Sequence, residues 1–162
     1  MNELPVPEDT VLVAVYPNED LISWLHDRSN FIGLETKGLI PISKGSIDEQ
    51  RQVWAYWHHD FRKNSLTIQR ISCPSVGSFP VEAVASVIVD ARNEAAIWGF
   101  PQVSVWSPSP GVQKALRLLS RQVPDKIVYE EHRSNANPFL RWQLHNQSKR
   151  IEFVNNEFYA WN

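Results

Sequence analysis

Strand-like and helical patterns alternate along this sequence, and their order predicts a mixed α/β layer fold. Three observations carry that prediction. The segment VEAVASVIVDARNEAAIWG repeats apolar residues at helical spacing. It lies between two strand-like runs, SLTIQRIS and PQVSVWSP. No repeat, linker or low-complexity block interrupts the sequence, so residues 1–162 read as one domain. The predicted order is strand, helix, strand, strand, helix, strand, helix, strand, strand, a mixed sheet flanked by helices.

VLVAVYP (11–17) is a short apolar run ended by proline, as expected of a buried strand. Asn18 then caps a helix whose first turn carries Glu19 and Asp20. Leu21, Trp24, Leu25 and Arg28 share one helical face, and Gly33 is the expected stop. Residues 33–50, with Gly38, Pro41 and Gly45, read as an irregular connection. RQVWAYWHH (51–59) and SLTIQRIS (65–72) are strands joined by the polar loop DFRKN. CPSVGSFP leads to Pro80, which suits a first helical turn. The long helix follows through Val81, Val84, Ala85, Ile88, Ala91, Ala95 and Trp98, and Gly99 stops it. PQVSVWSP (101–108) is a strand, and Val112, Leu116, Leu119 and Val123 mark a further amphipathic helix. KIVYEE (126–131) and NPFLRWQLHN (137–146) read as strands, and the tail from Ile151 begins as one. The crossover from 65–72 through the long helix to 101–106 is expected to be right-handed and parallel. The final strand pair is expected to be antiparallel.

Hydrophobic residues are 43% and charged residues 21%, with a formal net charge of -2. That balance gives no basic field for nucleic acid. No apolar run approaches the roughly 20 residues that span a bilayer. MNELPVPEDT has neither the charged nor the apolar region of a signal peptide. One cysteine, Cys73, excludes an intramolecular disulfide and a multi-cysteine zinc site, so a reducing cytoplasm is the expected compartment. Seven tryptophans suit either a core or a small-molecule pocket.

The densest chemistry lies at 54–60, WAYWHHD. Strand alternation puts Trp54, Tyr56, His58 and Asp60 on one face and Val53, Ala55, Trp57 and His59 on the other. His58, flanked by Tyr56 and Asp60, is the catalytic candidate. A carboxylate two positions away can fix its tautomer and raise its pKa for general-base work. The competing reading makes both histidines inert hairpin-end residues. His26, His132 or His145 can join His58 and Asp60 as metal ligands, but no spacing demands it, and no metal is expected. Arg70, at a strand end, is a bidentate carboxylate anchor or an ordinary surface arginine. Trp106 walls a pocket across the same gap or packs in the core. Cys73, at a helix entry, is a nucleophile only if its pKa is lowered there.

The element order is similar to the GCN5-related N-acetyltransferase fold. A closer resemblance rests on W-A-x-W-x-x-D at Trp54–Asp60, the strand ending near Arg70, V-x-V-W-x-P at Val103–Pro108 and N-E-x-Y-A-W at Asn156–Trp161. These motifs, with G-S-I at 45–47, resemble the C-terminal half of the fungal lysine N6-acetyltransferases of lysine catabolism. The resemblance runs from Val11 to the end. It implies a sheet whose strands part around the long helix to admit acetyl-coenzyme A. In that scheme the turn with Gly77 and Ser78 meets the cofactor's phosphates, although the superfamily's paired glycines are reduced to one here. In the closing motif Tyr159 is the acid candidate and Glu157 a substrate contact, or both form a structural clamp. Tyr56, Arg70 and Trp106 complete the substrate side.

Three functions follow as expectations. The first is a small-molecule enzyme acting on an amine or amino-acid-like substrate by acyl transfer. The second is a stand-alone half-domain performing coenzyme-independent acid–base chemistry in fungal biosynthesis. The third is a noncatalytic binding subunit that pairs with itself or with an acetyltransferase-like domain.

Overall fold

The structure is a computed structural model, and it describes residues 10–13, 19–74, 77–105, 108–122 and 150–153. The α/β class is as expected. A four-stranded mixed sheet and three helices are formed from β2 (Gly45–Asp48), β3 (Val53–Asp60), β4 (Ser65–Ser72), β5 (Gln102–Val105), α1 (Glu19–Lys37), α2 (Val81–Ile97) and α3 (Pro110–Gln122). The sheet order is β2-β3-β4-β5. β2 to β4 are antiparallel, and β5 runs parallel to β4 after the α2 crossover, as expected. A separate two-stranded sheet pairs β1 (Thr10–Val13) in parallel with β6 (Arg150–Phe153). The strands expected at 126–131 and 137–146 lie outside the described residues.

Two local expectations are corrected. α1 does not stop at Gly33. Gly33 is buried inside the helix because a Cβ there would lie 2.9 Å from the Leu39 carbonyl oxygen and 3.1 Å from the Phe61 ring. The stop is Gly38, at φ +70, whose N–H donates to the Leu34 carbonyl at 2.9 Å. The connection that follows is not wholly irregular, since Gly45–Asp48 pair with Val53–Tyr56. Gly45 is required there because a Cβ would sit 2.5 Å from the Ala55 carbonyl oxygen. Asp48 closes the turn by accepting from the Arg51 N–H at 3.0 Å.

The main core lies between the sheet and α2. Val53, Ala55, Trp57, Leu66 and Ile68 meet Val84, Val87, Ile88, Ala91 and Ala95. Small residues on α2 let the helix lie close to the strands. Its C-terminus is a Schellman motif, with Phe100 N–H donating to Ala95 O at 2.8 Å and Gly99 N–H to Ala96 O at 3.1 Å. α3 packs on α2 through Val112, Ala115 and Leu119. α1 lies against β3 on the opposite face of the sheet, where Leu25 and Ser29 are buried. Among the described residues, no helix is long and apolar enough to cross a membrane.

Candidate functional site

β3 keeps its alternation through the WAYWHHD stretch, so the two histidines face opposite ways. His59 points to α2, where its Nε2 pairs with Glu94 Oε1 at 2.9 Å. The same oxygen accepts the Trp98 indole N–H at 2.8 Å. Phe61, Trp98 and Phe100 surround the ring. Burial pushes the His59 pKa down to about 3.

His58 points to the α1 face. Its partner is Gln69, a residue that sequence reading missed. The β3–β4 register slips between Tyr56↔Arg70 and Trp57↔Ile68, so Gln69 is the extra residue of a β-bulge on β4. The bulge lets Gln69 and Arg70 both sit on the His58–Tyr56 side. The Gln69 amide nitrogen donates to His58 Nδ1. In that arrangement Nε2 carries the imidazole proton. The sequence held a signal for this. Apolar residues of β4 recur every two positions to Ile68 and then skip to Ile71.

The expected rise in the His58 pKa is reversed. Burial is the largest influence and pushes it down to about 4, and the nearby Asp60 charge only partly opposes this. Asp60 is itself engaged in the hairpin loop. It accepts from the Lys63 N–H at 3.0 Å, and its other oxygen lies 3.7 Å from the Lys63 ammonium. The cavity beside His58, between Leu25, Arg28, Ser29 and Ile32, holds about 10 Å³, room for a single water.

The open space lies at the other end of these strands. A depression of about 440 Å³ is walled by Ile47, Glu49, Gln52, Trp54, Cys73 and Pro74. The Arg70 guanidinium lies over the Trp54 ring, 5.7 Å from its centroid, at the edge of this depression. Burial pushes the Cys73 thiol up, away from the lowered pKa a nucleophile needs. The β4–β5 ladder covers only Ser65–Ile68 against Gln102–Val105. Among the described residues, Gln69–Ser72 therefore extend beyond β5, on the same stretch that carries Arg70. Tyr56 stands opposite Arg70 in register, with its ring 5.5 Å from that of His26. Trp106, Glu157 and Tyr159 lie outside the described residues.

A family model for the LYC1 GNAT-like C-terminal domain matches residues 1–162. The chain belongs to that family. The resemblance to the C-terminal half of a GNAT-like lysine acetyltransferase is thus borne out. No curated protein and no solved structure matches this LYC1-like chain.

GNAT-fold proteins usually bind acetyl-coenzyme A, and the turn before α2 is where its pyrophosphate would be expected. Gly77, at φ +96 with open space where a Cβ would be, and exposed Ser78 begin that turn. The rest is unfavourable. Pro80 has no N–H, and the Val81 N–H already donates to Phe79 O at 2.9 Å. Glu82 places a carboxylate in the first turn, where it takes up the helix's affinity for anions. The described residues of this turn, 77–82, do not fit a pyrophosphate. No group of three or more His, Cys, Asp or Glu among the described residues is placed to hold a metal ion.

Proposed function

We propose that this domain is the acceptor-holding part of acetyltransferase-like chemistry, binding a small amine or amino-acid-like substrate at the end of β4. The observation that carries the reading is the Arg70–Trp54 stack at the rim of the 440 Å³ depression. Arg70 offers a planar donor pair for a carboxylate, and Trp54 offers a face for a hydrocarbon chain. A depression of this volume suits a small ligand. Holding an amine in a fixed orientation is the part of acyl transfer this arrangement supports. His58 and Asp60 line the small cavity at the other end of these strands, and in this reading they do not touch the substrate. Tyr159 of the closing motif keeps the acid–base role that the family resemblance implies, and Glu157 the role of a substrate contact.

Calorimetry with lysine and related amino acids tests this. Saturable binding with a dissociation constant on the order of 0.1–1 mM is expected. Arg70→Ala should weaken it about ten- to a hundredfold, the worth of charge-assisted hydrogen bonds to one carboxylate. Binding of acetyl-coenzyme A but of no amino acid would reject this reading in favour of a complete acyltransferase.

A second reading, a noncatalytic partner subunit, is favoured by one observation. Phe31, Leu39, Ile40 and Ile42 are exposed on α1 and the connection after it, Ile42 to 90%. A second copy or an acetyltransferase-like partner domain would cover them.

A further inference from the structure

We propose that Lys44 is a modification site whose side-chain amine is acylated by small activated acyl donors in preference to the exposed lysines. Its position is fixed from several sides. The Lys44 carbonyl accepts the Trp57 N–H at 2.9 Å, and the Ser43 carbonyl accepts the Trp57 indole N–H at 3.2 Å. The next residue, Gly45, is pressed against the Ala55 carbonyl. From this pinned backbone the half-buried side chain crosses to α1. There Nζ donates to Asn30 Oδ1 at 2.9 Å and to Ser29 Oγ at 3.2 Å.

Both acceptors are neutral, and among the described residues no carboxylate lies within ion-pair distance of Nζ. The charged and titratable groups that act on this crease are Glu94 of α2, Asp27 and His26 of α1 and His59 of β3. Glu94 favours the ammonium from a distance, but burial outweighs it and pushes the amine down to about 8. His26 Nε2 in this crease is buried and has no hydrogen-bond partner among the described residues. A lysine so placed spends an appreciable fraction of its time as the free amine near neutral pH, which is the nucleophilic form.

The chemistry is simple. The free amine attacks the acyl carbon of a thioester, the C–N bond forms and the C–S bond breaks. The sulfur leaves with the electron pair as thiolate, and the amine's proton passes to solvent. The resulting amide is neutral and can no longer hold Asn30 and Ser29 as an ammonium does. Acylation would therefore loosen the tie between α1 and the strand edge. This inference does not depend on the Arg70 site.

The test is to incubate the protein with S-acetyl-N-acetylcysteamine and follow each lysine by peptide mass spectrometry. Near pH 8, Lys44 should be acylated about tenfold faster than exposed Lys37, Lys63 and Lys114. Its rate should level off above about pH 8. Asn30→Asp places a carboxylate beside the amine and should slow Lys44 about tenfold, leaving the other three unchanged. A Lys44 rate no greater than theirs overturns the proposal. So does an Asn30→Asp variant that reacts as fast as the parent.

Discussion

At the scale of single residues, the adjacent histidines show how burial decides a property that sequence proximity suggests wrongly. Period-two alternation correctly separates His58 from His59, because β3 stays regular throughout. Alternation says nothing of depth, and Asp60 is drawn into the hairpin loop by Lys63. Hence both imidazoles are held neutral, near pKa 4 and 3. In the unfolded chain each would titrate near 6.5. Between those values the unfolded chain binds more protons, so stability is full above about pH 6.5 and is lost as pH falls through about 4. Each histidine contributes a slope of up to about 1.4 kcal/mol per pH unit in that window. Urea midpoints at about pH 7 and about pH 5 should therefore differ clearly. Equal midpoints would mean that the two rings are not kept neutral by the fold.

At the scale of elements, β3, β4, α2, β5 and α3 were legible in the sequence because each has a clear period and a clear stop. β2 was not. It has four residues, among them Gly45, Ser46 and Asp48, and it exists because β3 offers it an edge. The true end of α1 was hidden because Gly33 and Gly38 look alike in sequence, yet one serves close packing and the other a left-handed turn. The open depression was equally illegible, since its walls come from three separate segments that only the hairpins bring together. Close packing also governs the entry to α3. Gly111 lies directly under the Phe79 ring, and any Cβ there would overlap it. Gly111→Ala should cost about 1–3 kcal/mol in chemical denaturation. Adding Phe79→Ala to that variant should cost less than the sum of the two single changes, because the overlap disappears. Strict additivity would show that the two positions do not touch.

At the scale of the whole molecule, the family and the α/β class were legible from motifs spread along the chain, whereas assembly was not. The apolar surface at Phe31, Leu39, Ile40 and Ile42 is the feature that bears on it. If a second copy covers it, light scattering should give a concentration-dependent dimer, and Ile42→Asp should return the chain to monomer. A monomer at all concentrations would rule out self-association through that surface. The parallel pairing of Thr10–Val13 with Arg150–Phe153 has a consequence of another kind. β1 is synthesised well before β6. At about 5–20 residues per second, β1 waits on the order of ten seconds for the partner it has in the fold. An unpaired strand edge is a template for wrong pairing. The nascent chain thus carries an unpaired β1 edge until β6 emerges, and that interval is where a chaperone would have much to protect.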